Sequence, residues 1–353
     1  FQAEDGIRDQ GDGLVGSEMC IRDRDKADLE NFYQTTGLLG ESYNPALELR
    51  FAEIATFMRA PLVRELEQVD IGIIGIPYDG GLTCRTGARY GPREVRNQSS
   101  IMRAINVPTG INPYALCRIA DLGDVRFENI LNLDQACVDI ERYYQAIAAT
   151  NVLPLSVGGD HSVTYPILKA LRERHDEPLA VIHVDSHTDT WAEFQGSKFH
   201  HGAPFRLAAE EGLIDPRKTV QIGIRGGQNF TEGLDFSRDQ GMRVITIEEF
   251  DDLGWRAVAA EARRVVGDSP VYLTFDIDGL DPVYAPGTGT PEAGGITMRE
   301  AQRFIRELSG LNFAGGDMVE VAPSLDPSGV TALNGATILF EMLCVVAESH
   351  IGR

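Results

Sequence analysis

The chain has 353 residues, of which 43% are hydrophobic and 24% are charged, and its formal net charge is −21 at pH 7. This composition is ordinary for a globular protein with a sizeable core. The excess of acidic residues argues against nucleic acid or an anionic membrane surface as the main partner, because both are polyanions.

The first 24 residues differ in character from the rest of the chain. The triplet Ile7-Arg8-Asp9 recurs as Ile21-Arg22-Asp23, and the stretch has no sustained apolar period. It resembles the translated read-through of a sequencing adaptor, and we exclude it from the fold prediction; a disordered natural tail is the alternative. Residues 25–68 are interpreted as an N-terminal extension, and residues 69–353 as one catalytic domain.

After residue 69, short apolar runs alternate with segments of helical periodicity, which predicts a parallel sheet covered by helices on both faces. The runs interpreted as strands are Val69–Ile76, Leu116–Asp121, Val152–Val157, Leu179–Asp185, Val220–Arg225, Arg243–Ile247, Val271–Asp276 and Asp317–Val321. Helical periodicity is evident in Asp134–Thr150, Tyr165–Arg174 and Thr297–Leu308, and Thr331–Glu348 is predicted to form a closing helix.

The cysteines are odd in number and scattered, at Cys20, Cys84, Cys117, Cys137 and Cys344. This pattern predicts neither a disulfide framework nor a thiolate zinc site, and it favours a reducing, cytoplasmic compartment. No uninterrupted apolar run approaches the roughly 20 residues that span a bilayer, and no signal-peptide pattern is present at the N-terminus. We therefore expect no membrane partner.

Three clusters of acids and histidines directly follow predicted strands. They are Gly158-Gly159-Asp160-His161-Ser162, Asp185-Ser186-His187-Thr188-Asp189 and Asp276-Ile277-Asp278. In open α/β sheets, ligands bind beyond the carboxyl ends of the strands. Residues two apart on an extended strand end point to the same side, so the acids and the histidine of the second cluster can converge, as can the two aspartates of the third.

Four carboxylates crowded at one place repel one another and resist ionisation. Two divalent cations balance four aspartates, with histidines as neutral donors and a bridging hydroxide completing the site. A carboxylate-rich donor set without thiolates favours Mn²⁺ over a structural Zn²⁺, with Ni²⁺, Co²⁺ and Fe²⁺ as alternatives. The sequence therefore predicts a site for two divalent metal ions.

The three clusters resemble the motifs of the ureohydrolase family, which contains arginase, agmatinase and related hydrolases of guanidino compounds. The resemblance continues through Thr274–Pro282, Ala285–Glu292 and Val319–Pro323, and it covers residues 45–350. It implies a three-layer α/β/α sandwich with a mostly parallel eight-stranded sheet. It also implies a homo-oligomer, commonly a trimer or a hexamer in this family.

The resemblance implies that two ligands, Asp185 and Asp276, bridge the two ions. The full sets it implies are His161, Asp185, Asp189 and Asp276 for one metal, and Asp185, His187, Asp276 and Asp278 for the other.

The resemblance also implies three catalytic residues. Glu320 pairs with the guanidinium and aligns it for attack by the bridging hydroxide, Asp189 steadies the tetrahedral intermediate, and His201 delivers a proton to the leaving amine. Only His201 occupies the family position before a glycine, so the adjacent His200 is interpreted as a loop residue. His183, within a predicted strand, is interpreted as a packed core histidine that faces away from the cluster.

The residues after Asp189 bear on the substrate. Arginases have an Asn there that helps to read the amino-acid head group, whereas this chain has Thr190-Trp191. L-Arginine is therefore disfavoured, and the segment is more similar to the agmatinase branch. Trp191 is expected beside the substrate, and if it shortens the pocket, free guanidine becomes an alternative substrate.

Two loops, Gly80–Arg93 and Ile111–Tyr114, are similar to those of guanidino-acid hydrolases such as guanidinobutyrase and guanidinopropionase. Arg85 is a candidate for pairing with a substrate carboxylate. The alternative is that Arg85, Arg89 and Arg93 form interior or subunit-contact salt bridges.

Two other functions stay open. Zinc deacetylases of acetyl-polyamines and acetyl-lysine have a related fold but keep one metal and a paired-histidine signature, whereas this chain has ligands for two ions. A catalytically silent binding or regulatory subunit would lack part of the site, and no part is missing here. We therefore expect a hydrolase of C–N bonds in linear amidines, acting on agmatine or on a guanidino acid such as 4-guanidinobutanoate.

Overall fold

The computed structural model describes Leu29, Phe32, Tyr33 and residues 49–352. The predicted tail, residues 1–24, lies outside the described residues, as does about half of the predicted extension. The division of the chain at residue 68 therefore stays a prediction.

A parallel sheet of eight strands runs through the described part of the chain, in the spatial order β2-β1-β3-β8-β7-β4-β5-β6. This confirms the predicted sheet. The strands are β1 (Ile71–Gly75), β2 (Ile119–Asp124), β3 (Leu153–Val157), β4 (Leu179–Val184), β5 (Ile214–Ile224), β6 (Arg243–Thr246), β7 (Val271–Asp276) and β8 (Phe313–Val319).

Eight α-helices of the described residues flank the sheet. They are α1 (Gly91–Ser99), α2 (Leu133–Ala148), α3 (Thr164–Arg172), α4 (Pro204–Glu210), α5 (Glu232–Asp239), α6 (Ile247–Val266), α7 (Met298–Arg306) and α8 (Val330–Ile351). In one group α3 contacts both α2 and α4, and in the other α8 contacts α1 and α7, and α7 contacts α6. With the sheet between them, the two groups give the predicted three-layer α/β/α sandwich.

The local sequence explains the elements. Every residue of β1, β3, β4, β7 and β8 is buried, because helices cover both faces of the sheet, and this is why these strands are nearly continuous apolar runs. Helix α7 begins at a capping box, in which the Thr297 side chain accepts from the Glu300 backbone and Glu300 accepts in return from Thr297. Thr246 likewise caps α6 through the backbone N–H of Glu249.

Three strands differ from their predicted bounds by three residues or more. Strand β8 runs from Phe313 to Val319 rather than from Asp317 to Val321, and its first residues, which include two glycines, are not an apolar run. Strand β2 begins at Ile119 rather than Leu116, because Leu116 and Cys117 still donate backbone hydrogen bonds to the carbonyl of Pro113 in a preceding turn. Strand β5 begins at Ile214 rather than Val220, and its first residues are polar and partly exposed. An apolar-run criterion therefore does not detect them.

The outer edge of β2 is covered by chain from the predicted N-terminal extension. Asp121 donates its backbone N–H to Pro61, and its carbonyl accepts from Val63. The Tyr33 hydroxyl donates to the carbonyl of Cys117 at 2.9 Å and accepts from the backbone of Ile119 at 3.1 Å. Covering an edge strand removes a row of unpaired backbone groups that would otherwise invite pairing with another chain.

Helix α8 closes the fold, as predicted. It is long and apolar enough to cross a membrane by length and composition, but 78% of its most apolar window is buried inside the fold. It contacts β8 and β3 as well as α1 and α7. Its apolar character is thus that of a core helix.

The strand order determines what meets at the site. The four central strands β3, β8, β7 and β4 are consecutive neighbours in the sheet and all point the same way. Their carboxyl ends therefore lie side by side, although they are far apart in sequence. The three predicted clusters and Glu320 follow these four strands directly.

Candidate metal centre

One imidazole nitrogen forms the centre of the first group of site residues. His161 Nδ1 lies 2.9 Å from Asp189 Oδ2, 3.2 Å from Asp185 Oδ2 and 3.3 Å from Asp276 Oδ2. Ligand atoms that bind one ion at about 2.1 Å lie roughly 3 Å apart. These separations are thus those of donor atoms grouped around a common cation.

The other ring nitrogen of His161, Nε2, contacts Thr274 on strand β7. His161 Nε2 lies 2.9 Å from Thr274 Oγ1. Nδ1 has no hydrogen-bond partner within the described part of the chain. If Nε2 carries the proton and donates it to Thr274, the lone pair of Nδ1 points at the carboxylates, which is the usual way in which a protein orients a ligand histidine.

A second group shares Asp185 with the first. His187 Nδ1 lies 3.2 Å from Asp278 Oδ2 and 3.4 Å from Asp185 Oδ1. Asp185 thus turns one oxygen to each group, as a bridging ligand does. Ser186 holds the other oxygen of Asp278 through its backbone N–H at 3.1 Å and its hydroxyl at 2.7 Å.

Asp276 lies in the first group. Its Oδ2 faces His161, while Oδ1 accepts the backbone N–H of Asp278 at 2.8 Å. The structure thus brings Asp276 to one centre, and its predicted contact with the other stays a prediction. With all six predicted ligands gathered around two points, the cluster fits a binuclear divalent metal site.

The negative charges of the clustered carboxylates also indicate a cation site. Burial raises the pKa of Asp276 well above its usual range, and the neighbouring charges of Asp278 and Asp185 raise it further. Burial lowers the pKa of His161, but the adjacent carboxylates of Asp185, Asp189 and Asp276 outweigh burial and raise the pKa well above its usual value. Bound cations relieve the same repulsion without protonating the ligands.

His183 corrects the sequence interpretation. It is fully buried, as predicted, but it does not face away from the cluster: its Nε2 lies 2.7 Å from Asp185 Oδ2. The reason is parity, because His183 and Asp185 are two residues apart on one strand end and so share a face, whereas Val184 points to the other.

Glu320 lies beside the first group, at the end of β8. Its Oε1 accepts the backbone N–H of His161 at 2.9 Å. Its Oε2 is buried and has no hydrogen-bond partner among the described residues. Both Glu320 (φ 65°) and Asp189 (φ 48°) have left-handed backbone conformations, which non-glycine residues adopt at a cost and which concentrate at functional sites.

His201 approaches Glu320 from a different loop. Its Nδ1 lies 3.3 Å from Glu320 Oε1, and its Nε2 lies 2.7 Å from Thr83 Oγ1. Burial lowers the pKa of His201, but the hydrogen bond and charge of Glu320 outweigh burial and raise the pKa to about 9. The adjacent His200 instead contacts the carbonyl of Ala192 at 2.7 Å.

Gly81 connects the His201 loop to the metal cluster. Its N–H donates to Asp160 Oδ2 at 2.7 Å, and its carbonyl accepts the backbone N–H of His201 at 3.0 Å. The backbone approaches closely here, since a Cβ on Gly159 would collide with the carbonyl oxygen of Tyr78. A glycine at position 159 is thus required for the loop to pass next to His161.

Arg85 is tied to the loop in front of Glu320. Its Nε donates to the carbonyl of Gly289 at 3.0 Å and its Nη2 to the carbonyl of Thr288 at 2.6 Å. A Cβ on Gly289 would lie 3.6 Å from Glu320 Oε2, so this loop lies next to the unpaired carboxylate oxygen. Arg89 instead forms an ion pair with the buried Asp79, as the salt-bridge alternative expected.

Trp191 packs on the start of α5. A Cβ on Gly233 would lie 3.3 Å from the indole, and the Trp191 backbone donates to the carbonyl of Gly202 at 2.9 Å. Its contact with a substrate stays a prediction.

Sequence reasoning did not single out Thr83, Thr274 or Gln221, and all three contact site histidines. Thr274 lies two residues before Asp276 on the same strand, so the two side chains point to the same side of the sheet. This alternation could have identified Thr274 from the sequence. Thr83 and Gln221 reach the site from a loop and from a neighbouring strand, and no local pattern marks them.

Comparison with known proteins agrees with this geometry. The model of the family described as "Arginase family" matches residues 69–344. The chain is 53% identical over 302 residues to guanidinopropionase of Pseudomonas aeruginosa, covering 85% of this chain and 94% of that protein. It is 47% identical over 293 residues to the mitochondrial agmatinase of Gallus gallus, covering 83% of this chain and 86% of that protein.

One solved structure is also similar to this chain in both fold and sequence. The proclavaminate amidino hydrolase from Streptomyces clavuligerus superposes with a TM-score of 0.82 at 39% identity, covering 86% of this chain and all of that chain. The resemblance inferred from the motifs is thereby confirmed: the chain belongs to the arginase family.

Proposed function

We propose that the protein is a binuclear-metal hydrolase that releases urea and an amine from a guanidino compound other than L-arginine. The observation that carries the proposal is the juxtaposition of the Asp185-bridged cluster with the unpaired Oε2 of Glu320. Its relatives named guanidinopropionase, guanidinobutyrase and agmatinase support the same reaction class.

We propose the ligand sets that the family resemblance implies. These are His161, Asp185, Asp189 and Asp276 for one ion, and Asp185, His187, Asp276 and Asp278 for the other. When bound, the two ions supply a hydroxide nucleophile at neutral pH. The donors are only imidazole nitrogens and carboxylate oxygens, which supports Mn²⁺, with Ni²⁺ as the alternative.

Glu320 holds the substrate guanidinium. One of its oxygens is occupied by the backbone of His161 and the imidazole of His201, and this fixes the carboxylate plane. The other oxygen accepts from the guanidinium N–H groups. Only 1% of the Glu320 side chain is exposed, and a charge-assisted hydrogen bond is strong in such a desolvated place.

His201 supplies the proton to the leaving amine. Its raised pKa of about 9 keeps the imidazole protonated at neutral pH. Thr83 and Glu320 bond its two nitrogens and hold the ring in place. Asp189, whose carboxylate lies in the first metal group, steadies the tetrahedral intermediate.

Arg85 bears on the substrate class. Two of its nitrogens are bonded to the loop beside Glu320, whereas Nη1 forms no hydrogen bond within the described part of the chain. A guanidino acid that places its guanidinium on Glu320 extends towards the same loop, where Nη1 can receive its carboxylate. This favours a guanidino acid such as 4-guanidinobutanoate over agmatine.

Urea release from a substrate panel tests the proposal. The panel contains 4-guanidinobutanoate, 3-guanidinopropanoate, agmatine, free guanidine and L-arginine, each with Mn²⁺ and with Ni²⁺. We expect urea from a guanidino acid or agmatine and little from arginine. Urea from guanidine alone would favour the pocket-shortening role of Trp191, and no urea from any compound would favour a silent subunit.

Compartment and assembly are further parts of the proposal. We propose a cytoplasmic location, supported by the four cysteines of the described residues, all of which are free thiols. We also propose a homo-oligomer, a trimer or a hexamer. The oligomer rests on the family resemblance, and mass photometry of the purified protein measures the number of subunits.

A further inference from the structure

The Asp185 carboxylate is held by hydrogen bonds on both oxygens. His183 Nε2 lies 2.7 Å from Oδ2, and the backbone N–H of His187 donates to Oδ1 at 2.6 Å. These are the same two oxygens that face the two metal groups. The terminal torsion of an aspartate is otherwise broad, so the carboxylate plane depends on these bonds.

The hydrogen bonds of Gln221, on the neighbouring strand β5, indicate which ring nitrogen of His183 carries the proton. His183 and Gln221 are register partners of β4 and β5, and both are fully buried. Gln221 Nε2 lies 2.5 Å from the carbonyl oxygen of Thr188, which only accepts hydrogen bonds. The amide is therefore oriented with its NH₂ group towards this oxygen, and the second hydrogen faces His183 Nδ1 at 3.4 Å.

It follows that His183 Nδ1 is the acceptor and Nε2 carries the proton. The neutral imidazole donates this proton to Asp185 Oδ2. Phe205 packs against the ring at a centroid distance of 4.2 Å. The bond of Gln221 to Thr188 also holds the turn between His187 and Asp189.

We propose that His183 and Gln221 are positioning residues that set the Asp185 carboxylate across the two metal centres. The inference rests on the proposed function, since it requires that the cluster bind metal. The competing role for His183 is direct ligation, because one of its ring nitrogens lies within 4.8 Å of ligand atoms of His161, Asp185 and Asp189. The orientation of the Gln221 amide places the His183 proton on Nε2, and a nitrogen that donates a proton has no lone pair for an ion.

The test compares His183→Gln with His183→Leu in the full-length protein. The glutamine amide nitrogen can occupy the place of Nε2 and keep the donor, whereas leucine removes the donor at similar volume. Mn²⁺ affinity is measured by competition with a fluorescent chelator, and metal content by mass spectrometry after dialysis. Loss of a group that orients a metal ligand typically costs about 10- to 100-fold in affinity, which we expect for His183→Leu; His183→Gln should stay within about threefold of the wild type.

Gln221→Leu supplies a second measurement that does not touch a ligand. It should weaken Mn²⁺ binding in the same direction, and adding it to His183→Leu should cause little further loss, because both act through Asp185. This variant keeps the inference testable if His183→Leu does not fold by circular dichroism.

Three results would overturn the inference. They are wild-type affinity in both leucine variants, equal losses in His183→Gln and His183→Leu, and independent additive losses in the double variant. Equal losses would indicate direct ligation by the imidazole. A wild-type protein that binds no Mn²⁺ would instead contradict the proposed function itself, so the two failures are distinguishable.

Discussion

His201 and Glu320 are in direct contact, with His201 Nδ1 3.3 Å from Glu320 Oε1. One residue comes from the loop before α4 and the other from the end of β8. The contact joins the group proposed to hold the guanidinium to the group proposed to protonate the leaving amine.

The first prediction concerns pH. Glu320 raises the folded-state pKa of His201 to about 9 against the opposing effect of burial, whereas an unfolded histidine titrates near pH 6.5. The contribution of the pair to the free energy of unfolding is therefore complete below about pH 6.5 and is lost as the pH rises through about 9. In chelator-treated protein, the difference in unfolding free energy between the wild type and His201→Asn should shrink between pH 7 and pH 9.5.

NMR titration of the histidines gives the control. Replacing Glu320 by Gln removes the charge, so the pKa of His201 should fall in that variant. A difference in unfolding free energy that does not vary with pH, or a His201 pKa unchanged by Glu320→Gln, would contradict the assigned contact.

The second prediction is that Thr83 orients the imidazole of His201. Thr83→Val removes the hydroxyl at 2.7 Å from Nε2 and preserves the shape of the side chain. Loss of one such hydrogen bond costs about 1 kcal/mol, so we expect kcat to fall about three- to tenfold with metal content unchanged. Thr86→Val, an exposed position in the same loop, is the matched control, and equal activity of the two variants would refute the role.

The third prediction concerns Asp276. Its carboxylate lies in the first metal group, and we assign it as a bridge to the second. Asp276→Ala should therefore abolish stable metal loading and urea release, as measured by mass spectrometry of metal content and by a urea assay. Asp281→Ala removes a nearby acid whose carboxylate accepts from the backbone N–H groups of Val283, Gly294 and Gly295; this control should keep its metal. Full loading or activity in Asp276→Ala would refute the assignment.

The fourth prediction separates two roles of Arg85. If Nη1 receives a substrate carboxylate, Arg85→Gln should lower kcat/KM for 4-guanidinobutanoate by about tenfold or more and affect agmatine less. If Arg85 only anchors the loop at Thr288 and Gly289, both substrates should lose the same factor. Arg93→Gln, at an exposed position on α1, is the control and should change neither rate.

The fold was largely predictable from the sequence. A strand buried on both faces is a continuous apolar run, so β3, β4 and β7 were predicted within a residue or two of their bounds. The polar start of β5 was not, because there the chain pairs through backbone hydrogen bonds while its side chains stay partly exposed. Strand order is also absent from any local pattern, and it is the order of β3, β8, β7 and β4 that brings the clusters together.

Within the site, the residues that carry charge were easier to predict than those that orient them. Aspartates two apart at a strand end have few roles other than ligation or turn formation, so their spacing is informative. Gln221 and Thr83 act through single hydrogen bonds to residues distant in sequence, and only the packed structure brings them there. The position of His183 was predictable, because side chains two residues apart on a strand point to the same side and His183 therefore faces Asp185.

An anomalous-difference map of a crystal grown with Mn²⁺ tests the binuclear centre most directly. We predict two peaks per chain, about 3.5–4 Å apart. One should lie between His161 and Asp189, the other between His187 and Asp278, and both should contact Asp185. A single ion per chain, or two ions that do not share Asp185, would contradict the account.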